Sequence, residues 1–397
     1  MNKRGSNNSS SLIKLTTSRT ILALALLLIV GCSTLPERNA AEDSHKMNPL
    51  EVPGLRFWDE QVVEAHNYDV SKELKTLLEN KEETDKVIHI AFSGGGVNGA
   101  FSAGILNAWT DTGLRPDFDV VTGVSTGAIV SVFAYLGSDY DTDLKHYYTE
   151  TAIEDMFKRH SMFRLVGGTS FVDTSGFEHK VRDAITYELM ESLAEERERG
   201  RLLLIATTNL DSEKMAIWDI GRIAQVGTPS AQALIQDIVI ASSSIPGAFP
   251  AKLIPLSYEG QEYDELHVDG GVSRQVFLIP QWMHNSLRSS DHEQEIYVVR
   301  NGYLNPQFDE VQSSISTVSA RSISTLIRRQ GIADVEYIYH YSDRNEFAFQ
   351  LAHIEDDFDE DGLEPTGLAY MNRLFDYGYR KKSESRLWTD RPPSMNE

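Results

Sequence analysis

Four short runs of apolar and β-branched residues punctuate the middle of the chain, at residues 87–92, 118–122, 202–206 and 296–299, and between them apolar positions recur at helical spacing. Near-continuous apolar runs of this length are strands covered on both faces, and their alternation with helical patterns predicts an α/β fold built on a mainly parallel sheet. Residues 188–201 carry mixed charges at helical spacing and predict a solvated, ion-paired helix. Beyond residue 300 the pattern changes. A serine-rich helical stretch over 312–330 is followed by strand-like runs at 335–340 and 347–353 and an amphipathic helix at 368–379. This predicts an α+β extension, 301–397, docked on the core rather than standing alone.

The N-terminal pattern is different in kind. Residues 1–31 hold Lys3, Arg4, Lys14 and Arg19, no acid, and an apolar run from Ile21 to Val30. That is too short for a membrane span and has the form of a secretory signal. Residues 32–86 are polar, acidic and interrupted by proline, with one helix-like piece at 70–79, and predict a tether and an N-terminal cap. Residues 87–300 then form the body of the protein.

The formal charge of −22 falls to about −26 once the four basic residues of the signal are removed, leaving 33 Lys and Arg against 59 Asp and Glu. A surface of that sign excludes nucleic acid as a partner and keeps the protein soluble. Cys32 is the single cysteine, so no disulfide forms within the chain.

Two glycine-rich turns carry the candidate chemistry. Gly123-Val124-Ser125-Thr126-Gly127 lies between the run at 118–122 and a helix of small apolar residues, which puts Ser125 on a sharp strand-to-helix turn. Flanking glycines let the two backbones approach while the hydroxyl projects outward, the arrangement of a nucleophile elbow. Ser93-Gly94-Gly95-Gly96-Val97-Asn98-Gly99 joins the run at 87–92 to a second helix. The N–H groups gathered at a helix start suit an anion, including the oxyanion of acyl transfer. Gly94, Gly96 and Gly99 also match a dinucleotide fingerprint with Asp119 as its acid. Asp119, however, stands at the entrance of its strand instead of the carboxyl end. His267-Val268-Asp269-Gly270-Gly271 supplies a carboxylate at the end of an apolar run.

A glycine-rich loop, a G-x-S-x-G serine and a D-G-G aspartate, in that order, resemble the patatin-like phospholipases over about residues 87–280, and 241–250 (ASSSIPGAFP) resembles the segment before the aspartate in that family. The resemblance implies a three-layer α/β/α fold and a lipid acyl-ester hydrolase of phospholipase A or lysophospholipase type. It implies a Ser125–Asp269 dyad, an oxyanion hole at Gly94, Gly95 and Gly96, a phospholipid or other acyl-ester substrate, and no metal or cofactor. Asn98 stands where the family usually has Arg or Lys, so the loop lacks its own cation. As a base, an aspartate with a pKa of about 3.9 needs desolvation to work near neutrality. Ile29-Val30-Gly31-Cys32 likewise resembles a bacterial lipoprotein signal, with Ser33 next, implying a chain anchored through lipidated Cys32 at the outer membrane.

Other readings compete. A Ser-Asp-His triad would draw on His284, His292, His340 or His353, none in a telling context. Acyl transfer, small-ester hydrolysis or an inactive scaffold would share the same motifs. Residues 148–176, with Phe157, Met162, Phe163 and Phe171, form either core or an apolar lip over Ser125. Arg321, Arg328 and Arg329 make a local basic cluster that solvation alone explains and that lipid phosphate could also meet. Residues 357–362 match the first half of a calcium loop, but Pro365 and Leu368 fall where later ligands belong, so the stretch reads as a solvated acidic turn.

Overall fold

The computed structural model describes residues 38–60, 81, 85–151, 156, 158–159, 172–280 and 292–395. The signal, Cys32, the helix-like piece at 70–79, Phe157, Met162, Phe163, Phe171 and His284 lie outside the described residues.

The four strands expected from the apolar runs of residues 87–300 all form. In chain order the principal sheet contains β1 (Arg56–Trp58), β2 (Val87–Phe92), β3 (Val120–Val124), β4 (Leu202–Asn209), β5 (Lys214–Asp219), β6 (Lys252–Tyr258), β7 (Gln261–Asp269), β8 (Gln294–Tyr303) and β9 (Ala348–Ile354). The path β1-β5-β4-β3-β2-β8-β9 has a parallel centre, β4-β3-β2-β8-β9, and antiparallel pairings at the β1 end. The run at 118–122 starts its ladder two residues later than expected. The Asp119 carboxylate accepts the Ile88 N–H at 2.8 Å and an ammonium hydrogen of Lys81 at 2.8 Å, which pins the entrance of β3. That role, at the end of the sheet opposite the glycine loop, removes Asp119 from any ribose-binding position.

The helices are α1 (Gly99–Asp111), α2 (Thr126–Leu136), α3 (Asp141–Thr149), α4 (Ser175–Ala184), α5 (Tyr187–Glu198), α6 (Ile220–Gln225), α7 (Pro229–Ser242), α8 (Ile315–Arg344) and α9 (Leu368–Ser383). Alternate residues of each strand feed two cores. Ile90, Phe92, Leu203 and Ile205 pack under α1, α2, α5, α7 and α9, while Val87, Ala91, Leu202 and Leu204 face α8 and residues 276–279. The result is three layers, helix, sheet and helix, as the period-2 geometry of a doubly covered sheet requires.

Residues 335–340, read from sequence as a strand, are helical. They belong to α8, and its buried residues Gly331, Asp334, Val335, Ile338 and Ser342 recur at three- and four-residue steps. The alternation of Val335, Tyr337 and Tyr339 suggested a strand, but Tyr337 is exposed and only the helical stripe meets the sheet. The C-terminal segment does dock: β9 pairs in parallel with β8, and α9 lies on α1.

One detail of register positions everything that follows. β3 runs parallel to β4 as far as Val124, opposite Ala206. β7 arrives antiparallel along the same edge of β4 and ends with Asp269 opposite Thr207. Two strands thus share one edge in succession, and their ends, Ser125 and Asp269, meet.

Candidate active site

Ser125 adopts φ 57° and ψ −127°, a conformation foreign to most side-chain-bearing residues. Such a residue costs about 1–3 kcal/mol and persists only where its surroundings over-determine it. Here the Ser125 N–H donates to Ser242 Oγ at 3.0 Å, and the Ser242 hydroxyl donates to the Ala206 carbonyl at 2.7 Å, so the end of α7 ties the turn to β4. A methyl group on Gly127 would collide with the carbonyl oxygen of Phe92, so only glycine lets α2 begin this close to β2.

Asp269 is buried at the end of β7, with the Ser125 hydroxyl beside its carboxylate. The Gly271 N–H donates to the same carboxylate at 2.7 Å. Burial disfavours the charge, and although the neighbouring Ser125 hydroxyl and the Gly271 N–H favour it, the pKa is pushed up to about 7. The desolvation that an aspartate would need to act as a base is therefore built into the fold and does not wait for a bound ligand.

The glycine loop is held from beneath. The Gly94 N–H donates to the Gln275 carbonyl at 3.0 Å. Gly94 therefore departs from its expected role: its donor is committed to the backbone, and it stands instead as the close neighbour of Ser125. A methyl on it would stand 3.2 Å from Ser125 Cβ. Gly95 presses on β8 so tightly that a methyl would overlap the Asn301 carbonyl. Among the described residues the N–H groups of Gly95 and Gly96 have no protein acceptor, and both residues line the cavity that contains Ser125.

Sequence reading missed the cation of this site. Arg300, at the end of β8, is buried and donates through Nη1 to Ser93 Oγ at 2.9 Å and to the Gly94 carbonyl at 2.5 Å. Burial lowers its pKa to about 10, which leaves it charged at neutral pH. The loop cation absent at position 98 is thus supplied from a neighbouring strand, and Arg300 does not line the cavity. Its signal was an arginine at the tail of an apolar run, where a buried charge needs a reason. Asn98 itself makes no side-chain cap; its amide donates to the Asn301 carbonyl at 3.4 Å and its oxygen accepts from the Tyr370 hydroxyl at 3.1 Å.

The cavity has a volume of about 340 Å³. Its walls are chiefly apolar, with Ile129, Tyr148, Met156, Phe177, Phe249 and Met371 around Ser125. Ser243 also lines it, and its hydroxyl, buried, has no protein partner among the described residues. No described histidine borders this space. His292 is half-buried and His340 exposed, and His353 is buried in β9, its Nδ1 3.0 Å from the Ile354 carbonyl. His267 lies behind the site on β7, pairs with Thr207 Oγ1 at 2.8 Å and is held neutral by burial. In the acidic turn, Asp357 is engaged by Lys381 at 2.9 Å and by the Tyr377 hydroxyl.

Residues 90–280 match the family described as patatin-like phospholipase. The chain carries a patatin-like phospholipase domain. The matched span runs from β2 through Asp269 and holds the glycine loop, the elbow and the aspartate. Among solved structures, the domain is similar to VipD from Legionella pneumophila at 11% identity and a TM-score of 0.37, over 77% of this chain and 68% of that one. It is also similar to human GIVD cytosolic phospholipase A2, at 14% identity and a TM-score of 0.32, over 80% of this chain. The alignment spans 62% of that human protein's length. A search of curated proteins returns no match.

Proposed function

We propose that this patatin-like domain is a serine acyl hydrolase of the phospholipase A or lysophospholipase type, with Ser125 as nucleophile and Asp269 as base. The observation that carries the reading is the Ser125 hydroxyl beside a buried carboxylate whose pKa has risen to about 7. Near that pH a base has enough ionised form to act and enough basicity to accept a proton. As Ser125 Oγ attacks the ester carbonyl, its proton passes to Asp269. The tetrahedral oxyanion is met by the N–H groups of Gly95 and Gly96 at the start of the α1 turn. Protonated Asp269 then returns the proton to the departing alcohol, leaving an acyl-serine. Water attacks that ester, again losing a proton to Asp269, and releases the fatty acid. The apolar cavity accommodates the acyl chain, which favours a lipid over a small polar ester.

The Cys32 lipoprotein reading belongs to the same proposal: acylation after signal cleavage would hold the domain at a bacterial outer membrane, near its substrate. It rests on Ile29-Val30-Gly31-Cys32 and on Cys32 being the single cysteine. The first test of the chemistry is intact-mass analysis after treatment with a fluorophosphonate. One adduct is expected on the wild-type chain, mapping to Ser125, absent from Ser125→Ala and strongly slowed in Asp269→Asn. An adduct that survives Ser125→Ala would remove the dyad, and no adduct on any form would leave an inactive scaffold.

A further inference from the structure

Half of the longest helix lies off the body of the protein. The buried residues of α8 begin at Gly331, and from Ile315 to Gln330 the helix contains none. At 1.5 Å per residue, this first half extends about 24 Å. Its direction follows from topology. β8 and β9 are parallel neighbours, so α8 must run back from the carboxyl ends of the strands, and its first half overhangs that edge of the sheet. Ser125 lies at the carboxyl end of β3, on the same edge. The level of departure is fixed by contact: a methyl on Gly331 would meet the Arg300 side chain at 3.0 Å, and Arg300 holds the glycine loop.

The overhang is unusually apolar for exposed structure. Ile315 is 90% exposed, Leu326 69% and Ile323 57%, and Phe308, on the segment leading into the helix, is 97% exposed. At 100° per residue, Val318, Ile315, Leu326 and Ile323 share an arc of about 140°. Arg329 stands inside one edge of this face, and Arg321 and Arg328 lie about 60° and 80° beyond that edge; with Gln307, Ser324 and Thr325 they border a cleft of about 100 Å³. The cluster is under-neutralised. Arg328 is held below its usual value by burial and by the like charges of Arg321 and Arg329, and the nearest described carboxylate to Arg321, on exposed Asp309, is 3.8 Å away. In a chain of charge −22, a concentrated patch of the opposite sign next to bare aliphatic side chains complements an anionic lipid surface, whose phosphates meet the arginines while its acyl chains receive the isoleucines and leucine.

We infer that the first half of α8, Ile315 to Gln330, together with Phe308, is a membrane-docking arm that seats on anionic phospholipid with the Ser125 cavity turned toward the bilayer. The inference builds on the lipid-hydrolase reading but has an independent readout. The full chain carrying Cys32→Ser and Ile323→Cys, labelled at the new thiol with an environment-sensitive nitrobenzoxadiazole probe, is mixed with vesicles of phosphatidylcholine with or without phosphatidylglycerol. The readout sits on the helix itself, however the rest of the chain reaches the vesicle. A several-fold gain in emission, quenched by acyl-chain spin labels and favoured by phosphatidylglycerol, is expected. Replacing Arg321 and Arg328 by Glu should weaken the anionic-vesicle response by about 30-fold or more, the effect of losing two basic contacts.

Leu326→Asp should lower hydrolysis of vesicle lipid at least about ten-fold while leaving turnover of a dispersed short-chain p-nitrophenyl ester unchanged. If the chain hydrolyses neither substrate, the enzymatic reading falls and the probe still decides the docking. An emission spectrum indifferent to vesicles overturns the inference. So does a shifted spectrum before vesicles are added, which assigns the face to a second copy if it depends on concentration and to another part of the chain if it does not.

Discussion

At Asp269, in the proposed mechanism, one desolvated carboxylate sets both rate and stability. Because the base works ionised, kcat/KM for a neutral ester should rise about ten-fold per pH unit on the acid side and level off above about pH 7, the value to which burial pushes the group. A pH profile with its inflection near 4 would show that the carboxylate is not the base. The same shift destabilises the fold as the group ionises. Between the unfolded value of 3.8 and the folded value of about 7, the native state holds a proton that the unfolded chain has released. Stability is thus lost with rising pH at up to about 1.4 kcal/mol per unit. Asp269→Asn, neutral at every pH, should match wild type near pH 4 and exceed it in Tm at pH 8, though inactive. Arg300 acts through the loop rather than on substrate. Arg300→Met should lower kcat by about 10- to 100-fold with little change in KM, the signature of a weakened oxyanion site, and Arg300→Lys should recover part of the loss.

Among the elements, the connections between strands carry more of the function than the strands do. The turn from β2 to α1 holds its shape because Gly95 lies flat against the Asn301 carbonyl. Gly95→Ala should push the loop off β8 and slow fluorophosphonate labelling by about 100-fold or more while the far-UV circular dichroism stays native, since the overlap is local. Normal labelling of that variant would show that the loop donors are not needed. The elbow and the loop were both legible in the sequence, because each depends on a glycine pattern confined to a few consecutive residues. The helical nature of 335–340 was not. A strand and a helix stripe differ there only in which of Val335, Tyr337, Ile338 and Tyr339 meet the sheet, and that is decided by where α8 lies.

For the molecule as a whole, the acidic surface sets the context. A chain of charge −22 is repelled by anionic lipid except where basic residues gather, so any attachment to it would have to be local. The proposed acyl anchor is one such device. Metabolic labelling with a radioactive fatty acid should mark the wild-type protein and not Cys32→Ser, which should also leave the membrane fraction; equal labelling of both would remove the anchor. Readable from the chain were the features encoded in neighbouring residues: the strands buried on both faces, the sharp serine turn, the glycine loop and the aspartate before Gly270. The tertiary structure decided what depends on elements distant in the chain. β3 and β7 end against each other because both pair with one edge of β4, and that pairing puts the Ser125 hydroxyl on the Asp269 carboxylate. Burial there supplies the basicity an aspartate lacks in water. Arg300 replaces the cation missing at Asn98 from another strand, and Gly94 loses its donor to Gln275. Desolvation and hydrogen-bond partnership are properties of surroundings, and surroundings exist only once the chain has folded.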